Sequence, residues 1–144
     1  MITSEELEAF IVRAKAASYV GDGDLRFTDG DLEYRDSYFG GADFLGQEVV
    51  RLGSTPIWGM NYYGFLLEPG VLDAAGAGRI IKRALSALYA EGRFLGGFSY
   101  RHDGWVYVDE SRGSVERFDG AERIETADRR AAYRLSYHGG RILG

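Results

Sequence analysis

The 144-residue chain has no cysteine and only two histidines, two prolines and two methionines. Without cysteine there can be no disulfide, thiolate nucleophile or cysteine-ligated zinc, which favours a reducing, cytoplasmic compartment. The chain also lacks the run of roughly 18 apolar residues that a membrane-spanning helix needs. Its first residues include Glu5, Glu6 and Glu8, whereas a secretory signal begins with basic residues. These absences predict a cytoplasmic protein with no membrane partner.

Excess basic charge and the usual cofactor motifs are missing as well. The net charge of −5 disfavours direct binding of nucleic acid, because that affinity comes largely from neutralising phosphates. The segment at 76–78 lacks the third glycine of a dinucleotide-binding loop, and the phosphate-loop, zinc-protease and serine-hydrolase motifs are absent. The acidic loops at 22–24 and 29–31 lack the ligand spacing and closing glutamate of an EF-hand. We therefore expect neither a cofactor nor a metal ion.

Glycine and tyrosine are abundant instead. The chain contains 21 glycines and 10 tyrosines, and 45% of its residues are hydrophobic. This composition is typical of short strands joined by tight turns around a substantial core. The length fits one domain spanning residues 1–144.

Two segments carry the signals of helices. Thr3 and Glu6 form a capping box ahead of apolar residues at helical spacing, and Gly21 is placed to end that helix. Asp73 is placed to cap a second helix that ends near Gly92. Strand-like runs follow each helix.

The regions after the two helices resemble each other along the sequence. Each half reads as a helix followed by three antiparallel strands, with repeat one at about 3–66 and repeat two at about 71–142. The sequence thus predicts an α+β fold, an internally duplicated αβββ-αβββ chain that forms a six-stranded sheet with two helices on one face. The aligned pairs are Tyr34 with Tyr107, Asp36 with Asp109, Gly40 with Gly113, Phe44 with Phe118, Gly46 with Gly120, Glu48 with Glu122, Trp58 with Tyr133, Met60 with Leu135, Tyr62 with Tyr137, and Gly64 with Gly139.

The stretch WGMNYYG at residues 58–64 divides between the two faces of its strand, because strand side chains alternate. One set is large in both halves, which is typical of a helix-covered core. The other set differs in chemistry between the halves, which indicates a solvated face or a site. The first set is Trp58, Met60 and Tyr62 with Tyr133, Leu135 and Tyr137. The second set is Gly59, Asn61 and Tyr63 with Arg134, Ser136 and His138.

Three long motifs carry a resemblance to a known family. They are YFGGADFLGQEVVRLGSTPIWGMNYYG at 38–64, GSVERFDGAERI at 113–124 and YRLSYHGG at 133–140. Together they resemble an uncharacterised bacterial domain family that occurs alone or attached behind helix-turn-helix DNA-binding modules. The resemblance runs from about Leu7 to Ile142, although the loop after Tyr19 is shorter than is typical of that family. It implies a small-molecule sensor by analogy only. The duplicated unit is also loosely similar to the effector-binding domains of multidrug-responsive regulators, which use another strand order.

Glu48 and Glu122 are the first candidate site residues. As a pair near a symmetry axis, they could hold a cation or act as acid and base. The structural alternative is that each glutamate satisfies backbone donors in its own turn.

Aromatic residues and a histidine give two further candidate sites. Trp58, Tyr62, Tyr63 and Trp105 could form a cage for an organic cation or a flat ligand, or they could be core residues. His138 could form a polar cluster with Arg134 and Asn61 and act as a general base, or it could be an exposed strand residue.

We expect a small-molecule-binding, sensor-like domain that holds an organic ligand in a cleft on the helix-free face of the sheet. One alternative is an acid–base hydrolase or lyase that uses a carboxylate and His138. Another alternative is a protein-interaction or inhibitor domain, whose partner is a second copy or another protein. The residues expected to form the ligand wall are Tyr38, Glu48, Asn61, Tyr63, Trp105 and His138.

Overall fold

The computed structural model describes all residues, 1–144, and contains two α-helices. Helix α1 spans Ser4–Ala17, and the predicted capping box is present, with the Thr3 hydroxyl accepting from the Glu6 backbone. Helix α2 spans Ala74–Ala90, and Asp73 caps it by accepting from the Gly76 amide at 2.7 Å. Neither helix has both the length and the apolar character required to cross a membrane.

Eight strands form one antiparallel sheet in the order β1-β2-β3-β4-β8-β7-β6-β5. The C-terminal strand β8 therefore lies at the centre of the sheet, next to β4, and the two halves of the chain join there. The strands are β1 Arg26–Asp29, β2 Leu32–Gly40, β3 Phe44–Leu52, β4 Thr55–Leu66, β5 Phe98–His102, β6 Trp105–Ser114, β7 Arg117–Glu125 and β8 Ala131–Arg141.

The prediction of a six-stranded sheet with an αβββ-αβββ order is wrong. Each half consists of a helix followed by four strands, and the additional strands are β1 and β5 at the two edges of the sheet. These strands have only four and five residues, at the lower limit of the length over which apolar alternation indicates a strand. Each is joined to the next strand by a tight turn at Gly30 or Gly104, both with positive φ. The two-residue loops Gly30–Asp31 and Asp103–Gly104 are of the types that indicate a β-hairpin, so the sequence carried a signal for both edge strands.

Both helices pack on one face of the sheet, which we call the inner face. Phe10 and Ile11 of α1 pack with Trp58 and Val50, while Ile81 of α2 packs in a cluster formed by the second half. The opposite, outer face carries no helix. The predicted division of the 58–64 stretch is confirmed: Trp58, Met60 and Tyr62 are buried on the inner face, and Asn61 and Tyr63 are exposed.

Glycine in the strands makes room for aromatic rings on the inner face. A Cβ added at Gly46 would lie 2.3 Å from the Tyr62 ring, and one added at Gly64 would lie 2.5 Å from the Phe44 ring. Gly46 lies directly opposite Tyr62 in the β3–β4 pairing. The phenol therefore lies over the neighbouring strand, which a larger residue at this position would prevent.

The residues that align between the two halves have matching places in the sheet. In each half a tyrosine ring covers a glycine of the neighbouring strand, and an aspartate lies opposite a glutamate. Common ancestry of the halves by duplication stays a prediction. The matching pairs of opposed residues are Tyr62–Gly46 with Tyr137–Gly120, and Asp36–Glu48 with Asp109–Glu122.

We expect Gly46→Ala to lower the free energy of unfolding by about 1–3 kcal/mol, because the new methyl group overpacks the inner face and displaces the Tyr62 ring. Gly59→Ala is the matched control in the next strand, since its Cβ would meet no neighbour closer than 3.4 Å. Its effect should stay within about 0.5 kcal/mol. Urea unfolding at a constant m-value measures both changes. Equal destabilisation by the two variants would contradict the role of the ring.

Candidate functional site

A cavity of about 260 Å³ lies between the two helices and the inner face of the sheet. We call it the inner cavity. It is lined by 26 residues, of which 18 are hydrophobic, so its wall is mainly apolar with a few polar groups. The polar groups are unusual in kind, because the lining contains four acidic side chains and a single lysine. The ionisable lining residues other than tyrosine are Asp36, Glu48, Asp109, Glu122 and Lys15.

The two aspartates are held by tyrosines that reach across a whole strand. Tyr62 of β4 lies over Gly46 of β3 and donates its hydroxyl to Asp36 of β2 at 2.6 Å. In the second half Tyr137 of β8 donates to Asp109 of β6, also at 2.6 Å. Tyr62 and Tyr137 are opposite each other in the β4–β8 pairing, and their rings extend in opposite directions from the centre of the sheet.

Each of the two glutamates accepts a hydrogen bond from a tyrosine of the neighbouring strand. Tyr34 donates to Glu48 at 2.6 Å, and Tyr107 donates to Glu122 at 2.7 Å. Glu48 also pairs with Lys15 of α1, with 2.6 Å between Nζ and Oε1, and both of these side chains are buried. The alternative that each glutamate satisfies backbone donors in its own turn is therefore wrong. Both glutamates lie within strands and face the inner cavity.

Three of the four carboxyl groups have raised pKa values. Burial, followed by the charge of Asp109, raises the pKa of Glu122 to about 8. The Glu122 side chain is half-buried and borders the cavity. Burial raises the pKa of Asp109 to about 6, against the lowering effect of the Tyr137 hydrogen bond. Burial and the charge of Glu48 raise the pKa of Asp36 to about 6.

One buried polar atom of the cavity wall has no partner. The Tyr133 side chain is 1% exposed and lines the cavity, and its hydroxyl makes no hydrogen bond. Burial and then the charge of Glu122 raise the pKa of this tyrosine. The hydroxyl thus lies near Glu122 without reaching the distance and angle of a hydrogen bond. An unpaired buried hydroxyl is costly, so a ligand group that satisfies it would gain binding energy.

The inner cavity brings together two of the six predicted wall residues. Tyr38 and Glu48 line it, and the Tyr38 side chain is 44% exposed. Trp105 instead borders a separate surface depression of about 290 Å³, beside His102 and Arg79.

The remaining three predicted wall residues lie on the outer face. Asn61 and His138 are opposite each other in the β4–β8 pairing, and their side chains are 3.2 Å apart, between Nδ2 and Nε2. Tyr63 is next to Phe65, with 5.8 Å between ring centroids. Glu48 and His138 are on opposite faces of the sheet, so these two side chains cannot act together as an acid–base pair.

The predicted aromatic cage does not form. Trp58 is fully buried between Phe94 and Phe118, while Tyr63 is on the outer face. Trp105 lies near the surface depression, and Tyr62 alone of the four lines the inner cavity. The four aromatic side chains lie apart because strand side chains alternate between the two faces and because their strands are not neighbours in the sheet.

An exposed apolar row crosses the outer face of the first half. Phe39, Leu45 and Tyr63 are neighbours across three strands, and their side chains are 79%, 56% and 45% exposed. This row is the observation on which a protein-interaction role would depend, and that role stays a prediction.

Sequence reasoning missed Asp36, Asp109 and Lys15 as site residues. The signal was present, because each is a charged residue at a position whose neighbours in the pattern are apolar. Lys15 follows Ile11 by one helical turn, and the two aspartates occur at the same position of both halves. A charge kept on the buried face in both repeats indicates a buried polar site.

We expect the free energy of unfolding to fall as the pH rises from about 5 to about 8. The folded pKa values of the three carboxyl groups lie above the usual values near 4, so the folded chain retains protons that the unfolded chain has released. Each such group lowers stability by up to about 1.4 kcal/mol per pH unit between its two pKa values. Urea unfolding at several pH values in this range measures the slope.

Two aspartate variants identify the source of that slope. Asp109→Asn should reduce it, because the variant lacks one of the groups with a raised pKa. Asp119→Asn should leave it unchanged, because Asp119 is exposed on the neighbouring strand β7. Stability that rises between pH 5 and 8 would contradict this account.

The comparisons with known proteins give a family but no relative with a known role. A family model for a domain of unknown function, DUF5680, matches residues 36–142. No curated protein and no solved structure matches the chain significantly. The matched residues include all four carboxyl groups of the inner cavity, while helix α1 with Lys15 precedes them. Because the match covers most of its length, the chain belongs to the DUF5680 family of domains of unknown function.

Proposed function

We propose that this domain binds a small organic molecule in the inner cavity. The observation that carries the proposal is the cavity itself, which combines a mainly apolar wall with a few convergent polar groups. Ligand sites in proteins have this composition. The unpaired hydroxyl of Tyr133 adds a group that a ligand could satisfy.

We place the ligand on the inner face of the sheet, whereas the sequence suggested the helix-free face. The outer face is a pleated surface, and its Asn61 and His138 side chains already contact each other. The inner face has walls on several sides, because helices α1 and α2 cover the sheet there. A ligand in such a cavity is largely buried from water, whereas a ligand on an open sheet face stays exposed on one side.

The proposed biological role is that of a cytoplasmic sensor. Its support is the resemblance of the motifs at 38–64, 113–124 and 133–140 to bacterial domains that also occur behind helix-turn-helix modules. In such an arrangement the domain would report a ligand to a DNA-binding partner, and it would not contact DNA itself. The net charge of −5 is consistent with that division of roles.

Thermal-shift screening against a library of metabolites and nucleotides tests the binding function. A ligand at 100 times its dissociation constant adds about 2.7 kcal/mol to the free energy of unfolding, which a melting experiment detects. Compounds that stabilise the chain should do so in proportion to the logarithm of their concentration. No shift across a broad library would count against the proposal.

We expect Gly78→Leu to abolish the stabilisation by any such compound. Gly78 lines the cavity from α2, and a Cβ there would lie 3.4 Å from the Tyr19 hydroxyl, at ordinary contact distance. A leucine should therefore occupy cavity space while favouring the helix by up to about 1 kcal/mol. Ala75→Leu is the matched control, because Ala75 is exposed on the same helix. A ligand that stabilises both variants equally binds elsewhere.

A further inference from the structure

The inner cavity has an uneven balance of charge. Glu48 has a cationic partner, because it pairs with Lys15. The other three carboxyl groups, Asp36, Asp109 and Glu122, take part in no salt bridge. Each accepts one tyrosine hydroxyl, whereas a carboxylate can accept about four hydrogen bonds. The cavity therefore has acceptor capacity and negative charge without matching cations.

The other cation that acts on Asp109 is already engaged. Arg93 acts on the charge of Asp109 from a distance, but its guanidinium group donates to the carbonyl oxygens of Leu95 and Gly97 and pairs with Glu91. It is therefore held outside the cavity.

The three carboxyl groups do not form a metal site. No three histidine, aspartate or glutamate side chains of the chain come close enough together to hold a metal ion. They are spread along a wall that also contains the rings of Tyr19, Phe44 and Tyr133. Such a wall suits a cation whose charge is attached to an apolar body, because aromatic faces attract cations. Lys15 shows this geometry, with its Nζ 5.4 Å from the Phe94 ring centroid.

We propose that the ligand of the inner cavity is an organic cation, an amine with an aromatic or aliphatic body, and that its binding releases protons from the cavity carboxyl groups. This inference depends on the proposed binding function. The ammonium group lies beside Asp109 and Glu122, which are opposite each other in the β6–β7 pairing, and the body packs against the aromatic wall. The Tyr133 hydroxyl, which lies near Glu122 on the same wall, accepts a hydrogen bond from the ammonium group.

Proton release follows from the groups that face these carboxyls on every side. Glu122 is faced by Asp109 and Tyr107 of β6, Tyr133 of β8, Tyr89 of α2, Glu48 of β3 and Lys15 of α1. Asp109 is faced by Glu122, Tyr107, Tyr89, Tyr137 and Lys15, and the charges of Arg93 and Glu110 also act on it. Asp36 is faced by Tyr62, Glu48 and Lys15. The positive charge of the single lysine does not balance the negative charge of these carboxyl groups. A fraction of the carboxyl groups is therefore protonated near neutral pH. A bound ammonium group replaces those protons as the counter-charge.

Three probes of one shape and different charge test the inference: 1-naphthylmethylamine, 1-naphthalenemethanol and 1-naphthoate. The amine should bind the full chain about tenfold more tightly than the alcohol at pH 7.5, a difference of about 1.4 kcal/mol. The naphthoate should bind least. Calorimetry in two buffers of different ionisation enthalpy should detect protons released by the amine and none released by the alcohol. The amine affinity should rise between about pH 6 and pH 8, while the alcohol affinity stays constant.

Variants assign the effect to the carboxyl groups. Asp109→Asn and Glu122→Gln should each weaken the amine about threefold or more and change the affinity for the alcohol less than twofold. Asp119→Asn is the control and should change neither. Near-ultraviolet circular dichroism establishes that each variant is folded. If a variant fails to fold, the pH dependence of the amine affinity and the proton release on amine binding, both measured on the natural chain, still test the inference.

The outcomes separate this inference from the proposed function. If the alcohol or the naphthoate binds as tightly as the amine, and Gly78→Leu blocks it, the binding function stands and the cation inference is overturned. The cation inference also fails if the amine does not bind at about 1 mM, or binds without proton release. If neither the probes nor the compound library binds the cavity, both are overturned.

Discussion

The inner face of the sheet depends on tyrosine rings that lie across glycine and end on a carboxyl group. Tyr62 reaches Asp36 only because Gly46 has no side chain in between, and the second half repeats this arrangement with Tyr137. The bond supplies a donor to an acid that the fold has removed from water, which limits the cost of burying it. The same ring fills the space above the strand. One side chain thus serves packing and electrostatics together.

Helix α1 contributes a charged group to the acidic cavity, although the helix precedes the part of the chain matched by the family model. Lys15 is the cation that α1 brings to the cavity, and its bond to Glu48 ties the helix to β3. Breaking a buried pair of this kind leaves an uncompensated charge and is strongly destabilising. The position of α1, and with it one wall of the cavity, is therefore coupled to the state of the carboxyl groups. A cation that enters the cavity would act on the same balance.

Local rules predicted the parts of the fold that local interactions determine. The caps at Thr3 and Asp73 and the alternation at Trp58 depend on residues close in sequence, and these predictions are confirmed. Strands β1 and β5 were missed because four or five residues give little apolar alternation, although the hairpin loop beside each one indicated a strand. The cavity could not be predicted, because it depends on the distance at which two helices stand above the sheet. Asp36 and Asp109 occur at matching positions of both halves, but their burial becomes evident only when the strand faces are known, which is why Asn61 and His138 were preferred.

Strand β8 is the last element of the chain and lies at the centre of the sheet. During synthesis the first half emerges with β4 as an open edge, long and rich in aromatic residues. That edge can pair only after β8 leaves the ribosome, so all the other strands are made before the sheet is continuous. An unpaired edge of this kind is a template for wrong pairing. The order of the strands therefore makes β8 a condition for the folding yield, and a ribosome that stalls before β8 is made would release an aggregation-prone half.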